Sequence, residues 1–348
     1  MDLQRVCHNH SFAEVRCLPA IDRRGFDVAV AVAKLTFEVD ASGAPRLRQS
    51  KIHFDDVADD HRGLRYPHDT AEEKLGTDVA LVGTAQPRGR VTSMAVWLQV
   101  GGYRKVTVVH GRRRYERKGS GIVPGPADAL EPTPVVHALA WGGTDGRVPE
   151  RTSEPKNPIG RGFAVDPLTL VGEPAHVLEP SGESTLVTNQ ASHPCHAAFA
   201  PIPLDWEPRR SLAGTHDLTW QDERAPVRPL DFDPMFNSFA VPDLHFKQPL
   251  TSDVPIEVGG MTPEGVWRFR LPSYGVTFAS AFGGDRVELP THLDSLLIDA
   301  DRRRVELSWR AAVRLPRKWD RLRRIDVWGT SSLADELFDE TYREEISA

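Results

Sequence analysis

Cysteine is scarce. Cys7, Cys17 and Cys195 are the only three in 348 residues, too few and too scattered for a disulfide framework. An odd count suits a reducing compartment. Long apolar runs are missing too. No stretch approaches the ~18 consecutive apolar residues of a membrane span. The opening Met1-Asp2-Leu3-Gln4-Arg5-Val6-Cys7-His8-Asn9-His10 has no apolar core of signal-peptide length. A soluble chain that stays in the cytoplasm, away from membranes, is expected.

The common chemistry-bearing motifs are also absent. There is no G-x-x-x-x-G-K-[ST] loop, and no G-x-G-x-x-G follows a strand pattern. Gly160-Arg161-Gly162 lies in a proline-flanked loop with no helix after it. Ser120, between Gly119 and Gly121, does not have the spacing of a G-x-S-x-G nucleophile elbow. His193-Pro194-Cys195-His196 and Cys7-His8-Asn9-His10 each cluster three potential ligands. Neither has the paired spacing of a structural zinc site, so surface loops are the commoner explanation. No metal or cofactor is expected.

Charge of neither sign dominates: 43 basic and 49 acidic residues give a net −6, with 40 % apolar and 26 % charged residues. That is an ordinary globular composition, which excludes disorder. The length suits roughly two domains or one large all-β unit. Proline is the excess, with 28 residues, twenty of them between Pro124 and Pro255. Proline lacks an amide donor and fixes φ, so that region holds neither long helices nor central strands. Its aromatics, among them Trp141, Phe163, Phe199, Trp206, Trp220 and Phe232, argue that it still packs.

Elsewhere the period is two. Lys34 to Val39 alternates after the apolar run Val28 to Ala33. Met94, Val96, Leu98 and Val100 share a face, and Val106 and Val108 repeat it beyond Gly101-Gly102. Trp267, Phe269 and Leu271 alternate with arginines, and Val305, Leu307 and Trp309 with Glu306, Ser308 and Arg310. The pattern predicts a mainly β fold of antiparallel, sandwich-like sheets with a proline-rich, loop-dominated insert. Three parts are expected: 1–121, β-rich; 122–255, proline-rich; and 256–348, β-rich and ending in a short helix. Ser332 would cap that C-terminal helix, with Leu333, Leu337, Phe338 and Tyr342 at helical spacing. The helix carries six acids and one base, which accounts for most of the negative charge.

Paired carboxylates (Asp55-Asp56, Asp59-Asp60, Asp231 with Asp233) beside tryptophans keep a carbohydrate-active enzyme or sugar-binding module open. Turn formation is the commoner role for such aspartates. Two basic stretches stand out. One runs from Tyr103 to Lys118 and includes Arg112, Arg113 and Arg114. The other, Asp301 to Arg324, has ten bases against three acids and includes Arg317 and Arg321. With no nucleic-acid motif and a negative total, a protein partner is favoured over nucleic acid.

An ordered set of segments carries a resemblance: Asn157-Pro158-Ile159-Gly160-Arg161-Gly162-Phe163, Leu212 to Pro226, Pro229 to Asp233, Leu293 to Leu296, and Val305 to Arg310. Together they resemble the bacterial family catalogued as domain of unknown function twenty-one sixty-nine, from about Phe12 to Arg310. Its members accompany type VI secretion loci as effector adaptors or chaperones. His216 stands where the family tends to have an aromatic, and Ser295 where it has threonine. The resemblance implies a non-enzymatic adaptor that binds a protein effector and helps load it onto the spike or spike tip. It supplies no catalytic residue. Its matching positions Asn157, Pro158, Gly160, Gly162, Gly214, Thr215, Asp217, Trp220, Arg224, Pro226, Asp231, Phe232, Trp309 and Arg310 have ready structural explanations in turns and packing. Arg112, Arg113, Arg114, Arg317 and Arg321 are the expected partner contacts.

Overall fold

The alternating segments become strands. A computed structural model of the chain describes residues 3–59, 63–148, 152–182, 196–282, 285–315 and 322–331. The run Val28 to Ala33 lies in a thirteen-residue strand, Asp27–Val39, buried along almost all its length. Its alternation sorts alanine and valine. Ala29, Ala31, Ala33, Leu35 and Phe37 enter the principal core, whereas Val28, Val30 and Val32 pack on the opposite face with Ile52. A strand covered on both faces reads as a continuous apolar run for this reason.

That strand is central to a seven-stranded sheet. Across the sheet the order is His245–Phe246, Thr77–Val82, Leu293–Asp299, Arg304–Arg314, Asp27–Val39 and Glu14–Ile21, with Pro45–Arg48 pairing the far end of Asp27–Val39. A five-stranded antiparallel sheet runs Leu178–Pro180, Tyr103–His110, Ser93–Val100, Pro255–Gly259, Val266–Arg270. Its Ser93–Val100 and Tyr103–His110 strands form the expected hairpin across Gly101-Gly102, with Gly101 at φ 56°. A third sheet runs Cys7–His10, Leu322–Ser331, Tyr274–Phe282, Asp285–Leu289.

The fold is therefore mainly β, as the periodicity predicts, and most pairings are antiparallel. Thr77–Val82 beside Leu293–Asp299 and Cys7–His10 beside Leu322–Ser331 are parallel and join distant parts of the chain. One core spans the sheets, with Phe37, Leu81, Leu98, Trp267, Phe278 and Val327 among its members. The proline-rich part contributes Phe199, Ile202, Trp206 and Val241 to it, so that part packs as its aromatics require. Among the described residues the single α-helix is Leu218–Glu223. The helix expected from Ser332 onward lies outside the described residues, as do Arg317 and Arg321.

Candidate functional site

Where the strand Tyr103–His110 ends, the chain continues through Gly111–Arg114 into a small hairpin, Tyr115–Lys118 with Gly121–Pro124. The three arginines form the floor of a cleft because main-chain bonds hold them on both sides. Asp128 N–H donates to the Arg112 carbonyl at 2.9 Å, Ala175 N–H to that of Arg113 at 2.9 Å, and Gly125 N–H to that of Arg114 at 2.7 Å. Gly111 is required at the entrance, since a Cβ there would lie 2.1 Å from the Asp128 carbonyl oxygen. The resulting open cleft, about 810 Å³, has one wall in Gly125–Pro134 and the other at Arg161 and Pro174–Val177. Pro126, Pro132, Pro134 and Pro174 stiffen both walls.

Arg113 turns inward, donating through Nε to the His176 carbonyl at 2.8 Å and through a terminal nitrogen to Glu179 Oε1 at 2.7 Å. Arg112 and Arg114 turn outward. The Arg112 side chain is 88 % exposed and 3.6 Å from Glu131, and Arg114 donates to the Gly172 carbonyl at 2.6 Å. Arg161, at the opposite wall, is exposed and makes no ion pair among the described residues. Glu116, Asp128 and Glu131 also line the cleft, so its charge is mixed.

Behind the floor lies an acid–base chain. His176 Nε2 is 3.2 Å from Glu179, and its Nδ1 is 2.6 Å from the Tyr115 hydroxyl. Because a carboxylate only accepts, His176 donates from Nε2 to Glu179 and meets the tyrosine hydroxyl with Nδ1. His110 Nε2 approaches Glu179 at 3.0 Å. Burial alone would raise the Glu179 carboxyl, but His110, His176 and the Arg113 guanidinium outweigh it and hold it well below its ordinary range. Burial drives the Tyr115 hydroxyl upward. The chain has the shape of a proton relay, yet its outer end is sealed. A Cβ on Gly162 would sit 2.0 Å from the tyrosine oxygen, so no reacting atom has room to reach it. These groups anchor Arg113.

Asn157, Pro158, Gly160 and Gly162 gather beside the cleft and set its far wall. Asn157 Nδ2 donates to the carbonyls of His137 and Trp141 at 2.9 and 2.8 Å. Arg161 N–H donates to Ala140 O at 2.9 Å, and Phe163 N–H to Gly142 O at 2.8 Å. Gly162, at φ 111°, permits the tight pass over Tyr115. The effect is to hold Arg161 at the cleft mouth.

Gly214, Thr215, Asp217, Trp220, Arg224, Pro226, Asp231 and Phe232 belong to a separate closed loop. Thr215 donates its N–H and hydroxyl to Asp231, at 2.9 and 2.7 Å, and Asp217 caps the helix Leu218–Glu223 by accepting from Trp220 N–H at 2.8 Å. Trp220 Nε1 donates to Val227 O at 2.8 Å, and Arg224 donates to Arg23 O at 2.9 Å. Trp309 lies in the principal core.

Arg310 belongs to a buried ionic array on the opposite face of the seven-stranded sheet. It donates to both oxygens of Asp294 at 2.6 and 3.2 Å and to Ala71 O at 2.5 Å. Lys34 pairs with Asp69 and Glu306, each at 2.9 Å. Lys74 pairs with Asp78, which also accepts from Phe239 N–H at 3.0 Å. The array ties the loops near residues 70 and 239 to the sheet.

The family model described as an uncharacterized protein conserved in bacteria (DUF2169) matches residues 24–310. The chain belongs to this family. The match takes in the cleft, the closed loop and the ionic array, and it ends at Arg310. No curated protein and no solved structure matches the chain.

Other expected chemistry resolves into structure. No three His, Cys, Asp or Glu side chains converge as metal ligands among the described residues. His193, Pro194 and Cys195 lie outside those residues, whereas His196 packs edge-on to His137 at 6.1 Å. Of the paired acids, Asp56 accepts from His68 N–H, Asp231 from Thr215 and Asp233 from Met235 N–H. Each serves a turn. Sequence reasoning missed Arg161 as part of the cleft wall, and Glu179 and His176 as the groups behind its floor. Glu179 is 66 positions from Arg113 along the chain, and no local pattern links them.

Proposed function

We propose that this chain is a non-enzymatic adaptor, acting in the cytoplasm, that binds a type VI secretion effector and helps load it onto the secretion spike. The observation that carries this reading is the arginine-floored cleft. Its walls are fixed by main-chain bonds and prolines, and the exposed Arg112 and Arg161 guanidinium groups line it alongside Glu116, Asp128 and Glu131. A preformed cleft with exposed guanidinium forks suits recognition of a client's carboxylates and carbonyls. The sheet edges are less inviting. Arg268 and Arg270 on Val266–Arg270, and Pro19 in Glu14–Ile21, are devices that discourage strand addition.

The test is co-purification with the effector and spike proteins encoded beside this chain's gene. A stable complex is expected, with R112E/R161E weakening it at least ten-fold while the fold is unchanged. Failure to bind either protein, or turnover of a polysaccharide, would overturn the adaptor reading.

A further inference from the structure

Two of the three cysteines meet in the fold. Cys7 opens the strand Cys7–His10, and Cys17 lies within Glu14–Ile21. They belong to different sheets: Cys7 stands opposite Ile325 in the third sheet, and Cys17 opposite Ala31 in the seven-stranded sheet. Their side chains nonetheless touch, and the Cys17 thiol hydrogen-bonds the Cys7 sulfur. Cys17 is buried in the principal core, whereas Cys7 is half-buried against it. Both are free thiols.

The corner between the two strands holds both sulfurs in place. Asn9 Oδ1 accepts from the Ser11 N–H at 3.0 Å, and Asn9 Nδ2 donates to Ala13 O at 2.8 Å. Phe12 N–H donates to the Tyr274 hydroxyl at 3.3 Å, which ties the corner to the third sheet. From the other side Gln4 Oε1 accepts from the Cys17 N–H at 3.1 Å, and Gln4 Nε2 donates to Val15 O at 3.3 Å. Packing alone would be served by any small apolar side chain. Two thiols held in contact also carry the chemistry of a disulfide.

The two sulfurs are not equivalent. The hydrogen bond from Cys17 lowers the Cys7 thiol below its ordinary value; burial and Asp326 push back, and Arg16 adds to the lowering. Cys17 moves the other way, because donating that bond and lying in the core both favour its protonated form. The sulfur nearer solvent is therefore the better nucleophile, and the buried one is placed to attack second. A thiol pair also suits zinc, but a tetrahedral site needs further ligands. No third His, Cys, Asp or Glu joins the pair among the described residues.

We propose that Cys7 and Cys17 form a modification site, closing into a reversible disulfide that staples the third sheet to the seven-stranded sheet when the chain meets a low-molecular-weight disulfide such as oxidised glutathione. The Cys7 thiolate, its proton lost to solvent, attacks one sulfur of oxidised glutathione. A mixed disulfide forms at Cys7, and one glutathione thiolate leaves and takes up a proton. Cys17 then gives up its proton and attacks Cys7 Sγ, which breaks the mixed bond and expels the second glutathione. The pair loses two electrons and two protons, and one oxidised glutathione becomes two reduced ones. The cross-link restricts the unfolded chain, so the oxidised protein is the more stable form. The site shares no residue with the cleft and does not depend on the adaptor reading.

The test uses full-length C195S protein, in which Cys7 and Cys17 are the only thiols. The folded protein is incubated with oxidised glutathione, remaining thiols are blocked, and the product is mapped with trypsin. Cleavage after Arg5, Arg16 and Arg23 places the cysteines on separate peptides, 6–16 and 17–23. These two peptides are expected joined by a disulfide, with both thiols lost, no cross-linked dimer, and a urea midpoint that rises on oxidation and returns with dithiothreitol. In the same background C17S should stop at a lasting glutathione adduct on Cys7, and C7S should take up no glutathione. Two free thiols after oxidation, or a glutathione adduct on Cys7 beside a free Cys17, would overturn the proposal. An oxidised protein with a lower urea midpoint than the reduced one would overturn the staple.

Discussion

Replacing Arg310 by methionine isolates what the buried ionic array does. In the native protein Asp294 is almost wholly buried and receives two bonds from the guanidinium, plus one from the Ser295 hydroxyl at 2.6 Å. Burial opposes the charge on Arg310, but the attraction of Asp294 more than compensates and raises its affinity for the proton. In R310M the aspartate keeps the serine bond and the charge of Lys74 beyond it but loses both guanidinium bonds, and the Ala71 carbonyl loses its donor. Removing one partner of a buried pair costs about 3–5 kcal/mol, because the other is left charged and undersolvated. That is a large share of the roughly 5–15 kcal/mol that stabilises a typical domain.

The control is the double variant R310M/D294L. It removes both charges and fills similar volume, so most of the loss should return. Urea unfolding followed by tryptophan fluorescence reads all three proteins. A loss below about 1 kcal/mol in R310M, the range of an exposed pair, would refute the reasoning. So would a double variant no more stable than the single one. A residue kept for partner contact would behave in the opposite way, with stability unchanged and binding reduced.

Acid should weaken the fold through His137. Burial holds this imidazole down at about 4, and its ring is 3.0 Å from the Ala200 carbonyl. An unfolded histidine titrates near ~6.5, so between these values the unfolded chain binds the extra proton and stability rises with pH. Full titration is worth about 3 kcal/mol, lost as pH falls from 7 towards 4. H137Q should flatten that dependence of the urea midpoint, and an unchanged slope would count against the assignment. G162A should lose about 3 kcal/mol, since its left-handed backbone and the contact with Tyr115 both resist a Cβ; a midpoint within error of wild type would contradict it. D231A should lose only about 1 kcal/mol globally, while hydrogen exchange at the Thr215 amide accelerates; unchanged exchange there would show that the loop is held by something else.

The strands were legible because their physics is local. Alternation at Val305, Leu307 and Trp309, or at Trp267 and Phe269, follows from one buried and one exposed sheet face. The charge runs were not legible, because pairing is a property of the folded chain. The stretch from Asp301 to Arg324 sums to a strong positive charge in sequence. Folding disperses it: Arg303 pairs with Glu264, Arg310 with Asp294, Arg314 with Asp22 and Arg324 with Asp326. The Arg112–Arg114 run divides in the same way, since Glu179 and the His176 carbonyl hold the middle arginine inward while its neighbours are exposed. A linear charge sum therefore overstates the free positive charge among the described residues of both stretches.

Internal neutralisation also bears on how such a chain would hold a partner. Among the described residues, the cleft keeps exposed guanidinium groups at Arg112 on one side and Arg161 on the other. Each alone would be a small contact. If both engage one assembly, the second contact forms at an effective concentration set by the rigid spacing between them, and avidity exceeds either affinity without new interactions. Rigidity then becomes a functional requirement. This accounts for loops fixed by prolines, capping aspartates and buried ion pairs where a merely connecting segment would need none. It also requires that loosening the wall beside Arg161 in G162A lower affinity for the cleft's partner even though both exposed arginines remain. Affinity equal to wild type in that variant would show that the order of the cleft wall is incidental to binding.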